Sequence, residues 1–144
     1  MIKNKKTVIE PDLLIAYLSA NYHVYSEQPF IFKVSQYSAE LKKLMHKFKK
    51  KSAAFITAFN PQSEELNLKE NKIRNQQLEL EIQRFNFNYI KGDGRCDESD
   101  KVGEESYLIF GITQEQSTNL GINYNQNAII WCSEDARPQL LLIR

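Results

Sequence analysis

The sequence predicts an α+β domain: a mixed, largely antiparallel sheet of about five or six strands packed by three or four helices. Three observations lead there. Helical and strand patterns follow in the order α, β-hairpin, α, β, α, β, β, α, β, β, which fits neither strict βα alternation nor two segregated halves. Residues 53–59 are apolar on both alternating faces, as a central strand covered on both sides should be. The chain has 144 residues, 42% hydrophobic and 26% charged, which suits one ordinary hydrophobic core. No repeat, linker or domain boundary interrupts it, so residues 1–144 read as a single domain.

Pro11 fits the first turn of a helix whose apolar side is Leu13, Leu14, Tyr17 and Leu18, ending near Asn21. Residues 22–25 and 30–34 are β-prone and flank Glu27-Gln28-Pro29, which predicts a hairpin. Ser38 opens a second helix with Leu41, Leu44, Met45 and Phe48 at i, i+3, i+4 and i+7 and lysines opposite. Asn60-Pro61 ends the central strand, since proline cannot donate to a ladder. Asn67-Leu68-Lys69-Glu70 matches a capping box and opens a third helix from about 68 to 85. Phe87 and Tyr89 alternate with Asn86 and Asn88 in a half-exposed strand, and residues 92–103 read as a polar loop. A strand over 105–110 is closed by Gly111. Thr113-Gln114-Glu115-Gln116 is a second capping box, opening a short helix that Gly121 should end. Residues 128–132 and 140–143 are the last two strands, around a turn-rich 133–138.

The 19 basic and 18 acidic residues give a formal net charge of +1, which excludes a strongly basic nucleic-acid coat and an acidic tail. The balance conceals an asymmetry. Residues 1–51 hold ten lysines against four acids, a net +6, while residues 52–144 hold nine basic and fourteen acidic residues, a net −5. The densest basic segment is Lys42, Lys43, Lys47, Lys49, Lys50 and Lys51. It reads as a solvated helix face or, alternatively, as a surface holding RNA, DNA or an acidic partner. No apolar run approaches the ~18–20 residues of a membrane span, and no apolar signal core follows the basic start before Glu10. Cys96 and Cys132 lie far apart, and Cys132 falls in an apolar run that suits a small buried hydrophobe. A cytoplasmic protein with reduced thiols is the expectation.

Chemistry gathers on the third helix. Asn71, Asn75, Leu78, Ile82 and Phe85 are spaced i, i+4, i+7, i+11 and i+14, so they share a core-directed face whose first turns carry two amides inward, with Arg74 one step around. Asn60 enters the loop that feeds this helix. Buried amides without partners would cost ~1–3 kcal/mol each, so they must bond to something. Either they pin the 61–67 loop through its carbonyls, or they meet a ligand in a pocket beyond the central strand, where a helix N-terminus suits phosphate or carboxylate. The working site comprises Thr57, Asn60, Asn71, Arg74 and Asn75, joined by Arg95, Glu105, Gln126 and Asn127. The ligand expected there is a small polar or phosphorylated molecule, nucleotide-like in character.

Gly92-Asp93-Gly94-Arg95 reads as a tight turn presenting Arg95 and lacks the spacing of a phosphate-binding loop. Glu104 and Glu105 begin a strand and point to opposite faces, so they do not pair as acid and base. Either alone defines a hydrolase or transferase alternative. There is no recognisable catalytic motif: no serine has a nucleophile-elbow context, and His23, His46 and the cysteines have no metal-ligand spacing. No metal and no cofactor are expected. Phe55, Phe59, Phe85, Phe87, Phe110 and Trp131 have core patterning. Tyr17, Tyr22, Tyr25 and Tyr37 lie near the basic segment, for packing or for stacking on bases.

These motif residues resemble a bacterial family known as DUF3293. The resemblance is carried by Ala53-Ala54-Phe55-Ile56-Thr57-Ala58-Phe59-Asn60-Pro61, by Glu70-Asn71, Arg74-Asn75 and Leu78, and further on by Gly94-Arg95, Glu104-Glu105-Ser106, residues 108–111 and Gln126-Asn127-Ala128. It extends from about Tyr17 to Leu142. Phe59 stands where the family often carries Trp, and a Trp expected before Glu104 is absent. The resemblance implies a small bacterial, cytoplasmic domain and points again to Asn60, Asn71, Arg74 and Asn75. The family's function is unknown, so no catalytic residue carries over.

Overall fold

Ala53 and Phe55 face one side of the sheet, Ala54 and Ile56 the other, and all four are buried. This double burial organises the computed structural model, which describes residues 8–96 and 103–144. The elements run α1 (Pro11–Ser19), β1 (Asn21–Val24), β2 (Phe30–Phe32), α2 (Ala39–Lys47), β3 (Ala53–Ile56), a 3-10 turn (Pro61–Ser63), α3 (Leu68–Arg84), β4 (Asn88–Arg95), β5 (Glu104–Phe110), α4 (Gln114–Asn123), β6 (Ala128–Cys132) and β7 (Gln139–Leu142). The strands form one sheet in the order β2-β1-β4-β5-β3-β6-β7, with every pairing antiparallel. On one face, Leu41 and Met45 of α2 pack against Tyr22, Phe32, Phe55, Phe110 and Ile130. On the other, Leu78 and Ile82 of α3 and Leu120 of α4 pack against Ile56, Tyr107, Ile109 and Ile129.

The fold is therefore α+β with the expected order of elements. It has seven strands where a sheet of about five or six is expected, because the short edge strands β2 and β7, both at segments the sequence marks as β-prone, join the same sheet as the rest. The helix starts follow local chemistry. Ser38 accepts the Leu41 amide, and the Thr113–Gln116 box closes in both directions, at 3.0 and 2.9 Å. At Asn67 only half of the box forms: its side chain accepts the Glu70 amide at 2.8 Å, but Glu70 reaches the side-chain amide of Asn67 instead of its backbone.

Several boundaries move for identifiable reasons. Gly92–Arg95 is not a turn. It is the C-terminal half of β4, paired with β1 on one side (Val24 opposite Gly92, Asn21 opposite Arg95) and with β5 on the other. Glycine serves close approach here: a Cβ on Gly92 would lie 2.1 Å from the carbonyl oxygen of His23. Residues 97–102 of the expected loop lie outside the described residues. α4 runs through Gly121 to Asn123, and Asn125, with φ 57°, reverses the chain. Gly121 instead lets α4 sit close to the sheet, since a Cβ there would lie 2.9 Å from Ile129 Cγ2. α1 stops at Ser19, because Asn21 is already paired with Arg95. β3 stops at Ile56 where sequence pattern carries it to Phe59. Phe85 is 61% exposed at the end of α3, its ring 6.2 Å from that of Phe87. Cys132 is buried, and burial pushes its thiol up to about 12. Among the described residues no helix is long and apolar enough to cross a membrane.

Candidate functional site

Beyond Ile56 the chain leaves the sheet, and its backbone groups lose their ladder partners. Side chains must replace them. Asn75, 1% exposed, accepts the Ala58 N–H at 2.9 Å and donates to the Glu105 carbonyl at 2.9 Å. One turn earlier, Asn71 accepts the Asn60 N–H at 2.8 Å and donates to Asn60 Oδ1 at 2.8 Å. Arg74 donates from Nε to the Ala58 carbonyl at 2.8 Å and from Nη2 to the Tyr124 carbonyl. Gln126 Nε2 donates to the carbonyls of Phe59 and Tyr124 at 3.1 and 3.2 Å. The Thr57 hydroxyl donates to the Glu105 carbonyl and accepts the Phe59 N–H. These side chains hold the 57–66 segment by its backbone. Among the described residues, no buried side-chain nitrogen or oxygen lacks a partner.

The segment so held delivers Asn60. Its backbone is left-handed, φ 46° and ψ 68°, a conformation asparagine tolerates better than most residues. Asn60 Oδ1 accepts the Leu66 N–H at 3.0 Å, and Nδ2 donates to Glu104 Oε2 at 2.9 Å. Glu104, the first residue of β5, is half-buried. Burial raises its carboxyl above the ordinary glutamate range, and the Asn60 bond acts against that shift. Glu105 points the other way, as the strand period requires, and pairs with Lys72 at 3.5 Å on the exposed side.

Asn60 and Glu104 form a wall shared by two hollows. A small one of about 60 Å³ is lined also by Tyr17, Tyr22, Thr57, Ser63, Ser106 and Gln126. A wider one of about 250 Å³ is lined also by Phe59, Glu65, Leu66, Leu68, Asn71 and Gly103. α1 is tethered over the small hollow: the Tyr22 hydroxyl donates to the Tyr17 carbonyl at 2.6 Å, and the Tyr17 hydroxyl lies 2.8 Å from Ser63 Oγ. Asn127 Nδ2 donates to Ser63 Oγ at 2.8 Å, while its Oδ1 accepts from Arg144.

Of the residues singled out by sequence, Thr57, Asn60, Asn71, Arg74, Asn75, Gln126 and Asn127 converge on this region. Arg95 does not reach Asn60. It pairs with Asp93 at 2.9 Å and donates to the Tyr25 hydroxyl at 3.2 Å. Neither guanidinium therefore lines the two hollows among the described residues. Sequence reasoning missed Tyr17, Tyr22, Ser63 and Ser106 as lining. Only Ser106 carried a signal, lying two residues from Glu104 and so on the same face of β5.

The raised carboxyl has a pH signature. Its native pKa lies above its unfolded one, so through that window the native state holds more protons and unfolding free energy falls as pH rises. Compared with Glu104→Gln, the wild type should gain stability as pH drops from neutral toward the ordinary glutamate pKa, then hold a constant difference below it. Paired urea titrations across pH check this; a pH-independent difference contradicts it.

No curated protein and no solved structure matches the chain. The model of the DUF3293 family, described as a protein of unknown function, matches residues 56–129. That span starts at the last residue of β3 and ends inside β6, so it contains the loop-holding side chains, Asn60 and Glu104. With just over half of its 144 residues matched, including Asn60, Glu104 and the side chains that hold the 57–66 segment, the chain belongs to the DUF3293 family.

Proposed function

We propose that this domain binds a small polar ligand at the Asn60–Glu104 pair. The observation that carries the reading is the half-buried Glu104 carboxyl, fixed by Asn60 at 2.9 Å and bordering two hollows. A carboxylate withdrawn from water without a cation beside it is costly, and pockets use a few such placed polar groups to orient what they bind. The described lining contains no Lys or Arg, and Glu65 adds a second carboxyl to the wider hollow. It therefore favours a ligand that brings hydrogen-bond donors, an amine above all, over the phosphorylated, nucleotide-like ligand that Arg74 and Arg95 suggest in sequence. Cys96 and Cys132 form no disulfide, which suits a bacterial cytoplasmic setting.

Thermal shift and calorimetry at low salt, with small amines, amides, nucleosides, nucleotides and phosphosugars, test this. Amine-bearing ligands should stabilise the wild type, and Glu104→Gln should weaken them about tenfold or more, as loss of a charged hydrogen bond does. Largest shifts from phosphorylated ligands, or full affinity in Glu104→Gln, would overturn it. The raised carboxyl also favours a second reading, turnover with Glu104 as general acid. There Glu104→Gln keeps ligand binding and loses turnover. The exposed, Lys72-paired Glu105 has no such support.

A further inference from the structure

We propose that the flank of α2 facing residues 133–137 binds single-stranded nucleic acid, with phosphates along a lysine groove and a base resting on Tyr37. The groove, about 490 Å³, is lined by Lys42, His46, Lys49, Lys50, Lys51 and Glu134, with Met45 at its floor. Its shape follows from the end of the helix. Lys49, with φ 58°, turns the chain back, and the Lys50 N–H bonds the Met45 carbonyl at 2.8 Å. The three lysines that follow α2 are thereby brought alongside Lys42 and His46. Lys49, Lys50 and Lys51 make no salt bridge among the described residues, so their charge is left for a partner.

The opposite flank argues by contrast. Lys43 and Lys47 share their hollow with Glu27 and Glu40, which offset them. On the proposed flank the basic run continues past the start of α2. The Ser38 N–H bonds the Ala136 carbonyl at 3.0 Å and sets Tyr37 beside Arg137. The Arg137 guanidinium lies 5.9 Å from the Tyr37 ring, which is 52% exposed. An exposed ring next to a guanidinium is a stacking platform for an unpaired base, whereas the base faces of a duplex are already covered. The groove sets Lys42, Lys49, Lys50 and Lys51 against a single lining carboxylate, Glu134, whose backbone carbonyl accepts from Lys42 Nζ. That excess favours a polyanion, and the ring selects one with bases.

Fluorescence anisotropy with a labelled oligouridine tests the proposal on the intact chain. Affinity should fall about fifty-fold between 50 and 200 mM salt, the dependence of roughly four lysine–phosphate contacts on a single strand. The triple variant K49E/K50E/K51E should abolish binding without moving the melting temperature. The milder K49Q/K50Q/K51Q should weaken it and flatten the salt dependence. Tyr37→Ala should cost about tenfold with the salt dependence unchanged. No binding at 50 mM salt, indifference to both lysine variants, tighter binding of duplex RNA, or equal competition by poly-glutamate would each overturn it. The last result assigns the groove to acidic polymers in general.

Discussion

Asn75→Ala is expected to lower the unfolding free energy by about 2–3 kcal/mol and the melting temperature by roughly 10 °C. The loss arises from unpaired backbone more than from lost packing. The Ala58 N–H lies in a position with no exposure and has Asn75 Oδ1 as its acceptor, so truncation leaves a buried donor without a partner. The Glu105 carbonyl suffers less, because the Thr57 hydroxyl also donates to it. The Tyr107 hydroxyl bonds the backbone carbonyl of Asn75, which the substitution spares. Since Asn75 and Asn71 together hold the segment that delivers Asn60, the variant should also loosen the Asn60–Glu104 contact and increase hydrogen exchange over residues 58–66. A melt within the error of the wild type would show that the loop is held some other way.

Gly92→Ala should be at least as damaging, by about 3 kcal/mol or more, the upper range for overpacking. The added methyl would lie 2.1 Å from the His23 carbonyl oxygen and 3.0 Å from Phe55 Cε1. The first neighbour is backbone of β1 and cannot swing aside, so β1 must separate from β4. In this strand order the β1–β2 hairpin joins the rest of the sheet only through β4, and its displacement uncovers Tyr22, Val24 and Phe32 together. Gly94→Ala is the matched control. Its nearest neighbours are Tyr22 ring atoms at 3.3 Å, a side chain with some freedom, so the cost should be about 1 kcal/mol. Chemical denaturation of the two variants checks the ranking, and equal stabilities would contradict the steric account.

What could be read without the structure was local. The spacing of Asn71, Asn75, Leu78 and Ile82 places four buried residues on one helix face, and the opposed periods of β3 announce burial on both sides. Phe85, last in the same series, is exposed because it stands at the C-terminal cap of α3, past the buried stretch of that face. Gly92–Arg95 has the composition of a turn, yet two neighbouring strands hold it extended. Arg95 reads as a ligand-facing cation, but Asp93 and Tyr25 occupy it.

The sequence by itself determined the class, the order of elements, the N-terminal caps at Ser38, Asn67 and Thr113 and the inward direction of the Asn71–Asn75 face, because each depends on contacts within a few residues of the chain. Only the tertiary structure decided what those amides bond, that Glu104 and not Glu105 is withdrawn from water, and that Lys49–Lys51 fold back beside α2. The Asn60–Glu104 contact spans 44 positions and the Thr57–Glu105 bond 48. Periodicity says which way a side chain points, but the partner waiting there comes from another part of the chain.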